Sequence, residues 1–271
     1  MKAKIILLII LLAGVGRAGS ISMTVSTGAV FLPGNMTVSL QNNGDETAWN
    51  VRMSLLSIFE ATDTYINSLG AGQNVEFSIE INKTDDILPG QYPAVILTRY
   101  EDANHYPFSS VSPNYVIYGE ATISDVHASV ESAELSTEGV VRIKLRNLGN
   151  EEINPRIRLY LPLEINSDEE KNVIIAPKAE KEVSFKISNF GALVGSSYVI
   201  VAAIEYEGNA HYSTTATGIV RIVEESTLNT DLLIIALIFL IVIFVAYQLK
   251  GMKLKGRTAN EKEDTQSVEQ Q

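Results

Sequence analysis

Cysteine is absent from this 271-residue chain, tryptophan occurs once and histidine three times. The first absence excludes disulfides, thiol catalysis and cysteine-based zinc sites. Only His105, His127 and His211 remain for imidazole chemistry, whereas a catalytic zinc typically takes three protein ligands. Neither a Gly-x-Ser-x-Gly nucleophile turn nor a glycine-rich phosphate loop occurs. Basic charge is also scarce. Residues 19–231 hold 28 acidic against 13 basic side chains, a net of −15. Such a surface repels nucleic acid and anionic lipid and offers no basic stripe. The expectation is a non-enzymatic protein without cofactor or resident metal and with no nucleic-acid partner. The acidic clusters Asp85-Asp86 and Asp168-Glu169-Glu170 lack any EF-hand or similar calcium spacing and read as solvated loop charge.

Long apolar runs are confined to the two ends. Residues 1–18 place Lys2 and Lys4 before Ile5–Ala13 and end at Gly16-Arg17-Ala18. A basic start, an apolar stretch too short to span a bilayer and small residues at the −3 and −1 positions describe a secretory signal peptide. Cleavage is expected after Ala18. The second run, residues 232–249, carries no charge. Eighteen residues at 1.5 Å rise extend roughly 27 Å as a helix, close to the hydrocarbon core of a membrane. Lys250, Lys253, Lys255 and Arg257 follow it and Glu224, Glu225 and Asp231 precede it, which puts the C-terminus in the cytoplasm. Both ends therefore predict a single-pass type I protein of the cell membrane with its bulk outside. Residues 226–231 contain neither a Leu-Pro-x-Thr-Gly nor a Pro-Gly-Phe signal, so the helix is expected to remain as the anchor. The polar tail, 250–271, shows no periodicity and reads as disordered.

Between these ends the sequence repeats itself. Gly34–Glu46 matches Gly139–Glu151 at a shift of 105, sharing Gly, Leu, Asn, Gly and Glu. Val51–Leu55 pairs with Ile157–Leu161, Val75–Ile79 with Val183–Ile187, and Gly90 and Tyr92 with Gly195 and Tyr198. The last block, Tyr100-Glu101-Asp102-Ala103-Asn104-His105-Tyr106, matches Tyr206-Glu207-Gly208-Asn209-Ala210-His211-Tyr212. Four blocks in one order define a duplicated unit of about 105 residues.

Apolar residues alternate with polar ones in most blocks, as in Met36-Val38-Leu40 and Val183-Phe185-Ile187. That is the period of a half-buried strand. Asn42-Asn43-Gly44 and Asn147-Leu148-Gly149 read as turns in which Asn and Gly tolerate positive φ. The Tyr-Glu-x-x-x-His-Tyr block reads as a hairpin with a loop of three to five residues. The predicted fold is all-β: two tandem immunoglobulin-like sandwiches of about seven strands, 19–119 and 120–225, then a stalk at 226–231 and one transmembrane helix at 232–249. Without a Pro- or Ser-rich spacer at Tyr118-Gly119-Glu120, the sandwiches are expected end to end, the second near the membrane and the first projecting outward.

The blocks Val-x-Leu-x-Asn-x-Gly-Asp/Asn-Glu, Val-x-Phe-x-Ile and Pro-Gly-x-Tyr, with Asn42-Asn43-Gly44, Asn147-Leu148-Gly149, Gly90-Gln91-Tyr92 and the longer Gly195-Ser196-Ser197-Tyr198, resemble CARDB and NPCBM-associated immunoglobulin-like domains. The resemblance spans both repeats. It implies an archaeal or bacterial surface protein whose domains act as spacers, adhesins or accessory modules, and it brings no catalytic residues. A surface protein or glycan is thus the expected partner, bound at edge strands and distal loops of the first sandwich. An accessory subunit of a membrane transporter or secretion complex is the alternative.

The paired motif residues Tyr100, Glu101, His105, Tyr106, Tyr206, Glu207, His211 and Tyr212 are read as structural, because duplicating a domain copies its framework. Asn35 and Asn82 begin N-glycosylation sequons, Asn82 in an expected loop. Trp49 is assigned to a core or to a domain edge.

Overall fold

The computed structural model describes residues 20–82, 87–167, 170–225, 234–244 and 247. The expected signal peptide, stalk and C-terminal tail lie outside the described residues, as do Asp85, Asp86, Asp168 and Glu169. Of the expected transmembrane segment, residues 234–244 are helical with exposed apolar side chains, and 232–233, 245–246 and 248–249 lie outside. No helix among the described residues is long and apolar enough to cross a membrane. The chain divides into two compact units, one ending at Glu224 and the other beginning at Glu225.

The first unit is all-β and contains both repeats. Repeat 1 forms β1 (Met23–Thr27), β2 (Val30–Leu32), β3 (Asn35–Asn42), β4 (Ala48–Leu56), β5 (Glu60–Ala61), β6 (Thr64–Leu69), β7 (Asn74–Asn82), β8 (Gly90–Glu101) and β9 (Pro107–Tyr118). Repeat 2 forms β10 (Val126–Val130), β11 (Ala133–Leu135), β12 (Glu138–Asn147), β13 (Arg156–Tyr160), β14 (Ile165–Ser167), β15 (Lys171–Asn172), β16 (Glu180–Asn189), β17 (Ser197–Glu207) and β18 (His211–Ile222). One layer of each immunoglobulin-like sandwich is β1-β3-β7-β5 or β10-β12-β16-β14. The other carries the long hairpin, β8–β9 or β17–β18, flanked by β4 and β6 or by β13 and β15.

Among the described residues nine strands stand in each repeat, where about seven were expected. The additions are short. β2 and β11 are three-residue segments pairing parallel to the end of the hairpin. The chain after β4 and after β13 divides between both layers, touching β7 or β16 first and then returning to β4 or β13. Two- and three-residue strands are too brief to show a period of two.

Each sandwich has its own core. Met36, Val38, Leu40, Val51, Met53, Ile79 and Ile96 fill the first, and Val141, Ile143, Leu145, Ile157, Phe185, Ile187 and Ile204 the second. These are the alternating positions of the repeat, and they account for the strands the sequence shows most clearly.

The sandwiches do not stand end to end. They pack through the outward faces of their hairpin layers, where Val95, Leu97 and Val111 of the first meet Val201 of the second, with Leu56 and Tyr160 at the margin. A single parallel bridge, His211 to Gly90, joins the two layers into one ten-stranded sheet. The cause is visible in β8 and β17. Ala94-Val95-Ile96-Leu97 and Ile200-Val201-Ala202-Ala203-Ile204 are continuous apolar runs buried on both faces. An alternating strand leaves one face for water, whereas a continuous run must cover both.

Candidate functional site

The Asn-x-Gly turns are structural staples. Asn42 is fully buried; its Nδ2 donates to the carbonyls of Glu46 at 2.7 Å and Leu69 at 3.0 Å, and its Oδ1 accepts from Gly44 N at 3.0 Å. Asn147 repeats this with the carbonyls of Glu151, Ile175 and Ala176 and with Gly149 N. Burial without those bonds would cost more than the side chain contributes. Neither Gly44 nor Gly149 has positive φ, which corrects the expected reason for glycine. A Cβ on Gly44 would lie 2.0 Å from the Ser20 carbonyl oxygen, so close backbone approach imposes the residue.

The two copies of the tyrosine–histidine motif occupy different places. In the first, Glu101 pairs with Pro107 across a five-residue loop. The Asp102 carboxylate accepts from the backbone N–H groups of Asn104 at 2.8 Å and Tyr106 at 2.9 Å and holds that loop open. His105 lies at its tip with φ of 61°, exposed, its Nδ1 3.1 Å from Glu101. In the second copy Gly208 stands where Asp102 does and has no carboxylate to offer. The loop closes in three residues, Glu207 pairs with His211, and His211 becomes the first residue of β18.

That placement buries His211 to 3% exposure at the junction of the sandwiches. Its ring stacks on Tyr92 of the first sandwich, with centroids 3.8 Å apart and planes 6° from parallel. Nδ1 is 2.8 Å from Glu207 and Nε2 is 3.4 Å from Glu205, whose other oxygen faces Arg156 at 3.6 Å. The two carboxylates flank opposite nitrogens and so cannot converge on one ion. Among the described residues no group of three or more such side chains is arranged to hold a metal. Nδ1 is hydrogen-bonded to Glu207, whereas Nε2 is buried without a hydrogen bond. Polar bonds continue the seam: His211 N donates to the Pro89 carbonyl at 2.9 Å, Ser213 Oγ to that of Gln91 at 2.6 Å, and Thr122 Oγ1 to that of His211 at 2.7 Å. Burial, with the charges of Glu207 and Glu205 nearby, pushes the Tyr92 hydroxyl up to about 12.

At the other end of the seam the sandwiches part and leave a cleft of about 620 Å³. Tyr100, Glu101, Tyr106 and Phe108 line it from the first sandwich together with Asn50, Arg52 and Arg99; Leu163, Glu164, Phe190 and Gly191 line it from the second. Tyr106 donates through its hydroxyl to the Gly191 carbonyl at 2.8 Å, tying the hairpin to the opposite wall. Glu164 is buried and accepts from Ser109 Oγ at 2.5 Å. Burial and then the charge of Glu164 push the Tyr100 hydroxyl up to about 12. Glu101 accepts from Asn50 at 2.9 Å, and that bond, with the His105 contact, lowers its pKa. Phe190 is 85% exposed. The cleft thus joins an aromatic wall and a free phenyl ring to two guanidinium groups and a carboxylate, a surface for binding a chain by stacking and hydrogen bonds.

Tyr100, Glu101 and Tyr106 therefore sit in one site, while His105 stays outside it. Tyr206, Glu207, His211 and Tyr212 belong to the second hairpin: Tyr206 stacks on Tyr212 at 5.2 Å and accepts from Asp125 N. The cleft residues Arg99, Leu163, Glu164 and Phe190 carried no motif, Arg52 belonged to a repeat block read only as a strand, and only the continuous apolar runs pointed to the junction that brings them together. Asn35 starts β3, and Asn82 ends β7 where a loop was expected; both are exposed. Trp49 lies in β4, 39% exposed and outside the core.

No family model matches the sequence, and no curated protein matches it. Among solved structures it is similar to the chaperone DraB of E. coli, at 14% identity and a TM-score of 0.34, covering 73% of this chain and 96% of that one. It is also similar to the periplasmic chaperone SfaE, at 10% identity and 0.31, covering 73% and 100%. A third is the ASH/PapD-like domain of human CEP192, at 10% identity and 0.29, covering 38% and 89%. Likeness this loose carries no inference about function.

Proposed function

We propose that this is a non-enzymatic, membrane-anchored protein of the cell surface. Its paired immunoglobulin-like sandwiches act as one rigid body that binds a segment of a surface protein or glycan in the cleft between them. The observation that carries this reading is the cleft itself, in which aromatic and guanidinium groups of the first repeat face the exposed Phe190 ring and Glu164 of the second across one opening. The anchor is supported by the uncharged run 232–249 with basic residues after it, and by the helical state of residues 234–244. Export is supported by the form of residues 1–18, and the blocks that resemble CARDB domains fit an archaeal or bacterial surface.

A second reading, an accessory subunit of a membrane complex, is favoured by where the cleft lies. Gly195 N donates to the Ile222 carbonyl and Ile222 N to that of Ser196, so the chain leaves the first unit beside the loop that ends in the cleft wall.

Photo-crosslinking from position 190 in intact cells tests the reading. A single surface protein or glycan captured through residue 190, and lost in Arg52→Ala/Arg99→Ala, is the expected result. Uniform capture that ignores both arginines would sink the cleft as the binding site. Protease shaving of the same cells checks topology: digestion of the C-terminal tail with survival of residues 20–225 would contradict the proposed orientation.

A further inference from the structure

We propose that the outward face of the β1-β3-β7-β5 sheet is a glycosylated surface, with one N-linked oligosaccharide on Asn35 and a second on Asn82; this rests on the exported reading above. Asn35-Met36-Thr37 and Asn82-Lys83-Thr84 are the only Asn-x-Ser/Thr acceptor sequences in the chain and start 47 residues apart. The fold brings them to one corner. Asn35 opens β3 opposite Glu80 of β7, and Asn82 ends β7 two residues further on. A side-chain period of two puts both on the same face, at roughly the 7–8 Å spacing of diagonal neighbours on adjacent strands. Both are exposed. Among the described residues neither amide enters a hydrogen bond, whereas the side chains of Asn42, Asn50, Asn114 and Asn147 are all engaged.

The surrounding face suits a sugar coat. The outward positions of β1, β3 and β7 carry Thr, Ser, Asn, Gln and Glu, with no basic and no apolar side chain. The second repeat differs. At the shifts of 105 and 108 that align the blocks, Asn35 corresponds to Val140 and Asn82 to Phe190. The equivalent face there is laced by Arg142–Glu182, Arg146–Glu180 and Lys144–Glu131 pairs. Duplication copies framework residues, so acceptors found in one copy alone answer to something other than folding. The corner also lies away from the other working surfaces. The second sandwich packs on the outward side of the hairpin layer. Asn35 follows Leu32, which pairs with Tyr118 and through it with Gly90. The cleft opens at the far end of β8, where nine residues put Arg99 roughly 30 Å from Gly90. A bulky, hydrated oligosaccharide at this corner leaves the seam and the cleft free.

The donor would be a lipid-phosphate-linked oligosaccharide. The asparagine Nδ2 bonds to the anomeric carbon of its first sugar, the bond from that carbon to the phosphate oxygen breaks, the lipid phosphate leaves with the electron pair, and one amide proton passes to a base. Peptide mass spectrometry of the full chain, extracted in mild detergent from its own cells, reads both sites. The expected result is an oligosaccharide mass on the peptides of Asn35 and of Asn82. Thr37→Ala and Thr84→Ala, which leave the asparagines in place, should each remove the mass at their own site, and Thr37→Ser and Thr84→Ser should retain it. Labelling of the exposed Lys181 on intact cells by a membrane-impermeant amine reagent reports export separately. Bare asparagines in a chain labelled at Lys181 overturn the glycosylation and leave export standing. Bare asparagines in a chain that the reagent does not reach overturn both. Sugar on one asparagine alone, or only on serine or threonine of this face, overturns the paired acceptor site.

Discussion

The two tyrosine–histidine hairpins start from nearly the same seven residues and finish in different environments. One places His105 in solvent beside Glu101; the other seats His211 between two carboxylates against Tyr92. The copies differ at three loop positions, Asp102/Gly208, Ala103/Asn209 and Asn104/Ala210, and the first change removes a carboxylate. Asp102 organises a five-residue turn with its carboxylate, and Gly208 at the same point lets the strand register close two residues earlier. A duplicated motif can therefore keep its chemistry and change its task, from a hairpin tip to the seam of a two-domain body.

The seam is the place to break that comparison. Gly90 and Gly195 are counterparts, both with positive φ, but a Cβ on Gly90 would meet the His211 carbonyl oxygen at 2.1 Å while one on Gly195 meets nothing within 4 Å. Gly90→Ala should therefore cost about 3–5 kcal/mol and Gly195→Ala only about 1 kcal/mol of conformational strain, measured by denaturant unfolding. Equal losses would show that backbone strain alone governs both sites.

Truncating the histidines comes next. His211→Ala removes the stacked ring and leaves Glu205 buried with Arg156 alone, a loss of about 2–4 kcal/mol. His105→Ala, at an exposed tip, should stay within about 0.5 kcal/mol. The same unfolding curves decide it, and a large effect at 105 would reverse the assignment of roles.

Where the repeats agree, matched variants should agree. Asn42→Ala and Asn147→Ala each strip a buried amide and leave its partners unsatisfied, for about 2–3 kcal/mol apiece. A difference above about 1 kcal/mol would mean that one staple is redundant.

The last effect is confined to alkaline pH. The Tyr100 hydroxyl is held up to about 12 by burial and then by Glu164, against an ordinary value near 10. Between these values the folded state keeps a proton that the unfolded chain releases, so its contribution is present below pH 10 and is lost as pH rises toward 12. The slope is about 1.4 kcal/mol per pH unit for one proton. Tyr100→Phe should reduce the pH dependence of the unfolding midpoint across that window, with the share due to Tyr92 remaining, and leave it unchanged near neutrality.

The sequence displays the individual sandwiches more clearly than their arrangement. Strands that bury one face advertise themselves by alternation, as Met36-Val38-Leu40 and Val183-Phe185-Ile187 do, and the duplication confirms them in pairs. The seam was written in a different pattern, the unbroken apolar runs of β8 and β17, which reads equally well as ordinary buried strand. Of the cleft, only Tyr100, Glu101 and Tyr106 had a local signature, the repeated tyrosine–histidine block. Arg99 lies one residue before Tyr100, whereas Leu163 and Phe190 come from loops that approach it only after the two sheets pack. The Asn-x-Gly turns were legible as turns, but the need for glycine at position 44 came from Ser20, more than twenty residues away.

The central claim, that the two sandwiches unfold as one body, can be tested through Trp49, the sole tryptophan, in β4 of the first sandwich. Val201 lies in β17 of the second sandwich, on the face that meets the first, and is fully buried there. Val201→Asp places a carboxylate in that apolar contact and should destabilise it by about 3 kcal/mol or more. Denaturant unfolding of the full chain in mild detergent, followed by Trp49 fluorescence and by far-ultraviolet circular dichroism, reads both sandwiches at once. Coincident transitions in the parent protein, and a Trp49 midpoint that falls in Val201→Asp, are the predicted result. A Trp49 transition that stays in place while the dichroism splits into two steps would contradict the account.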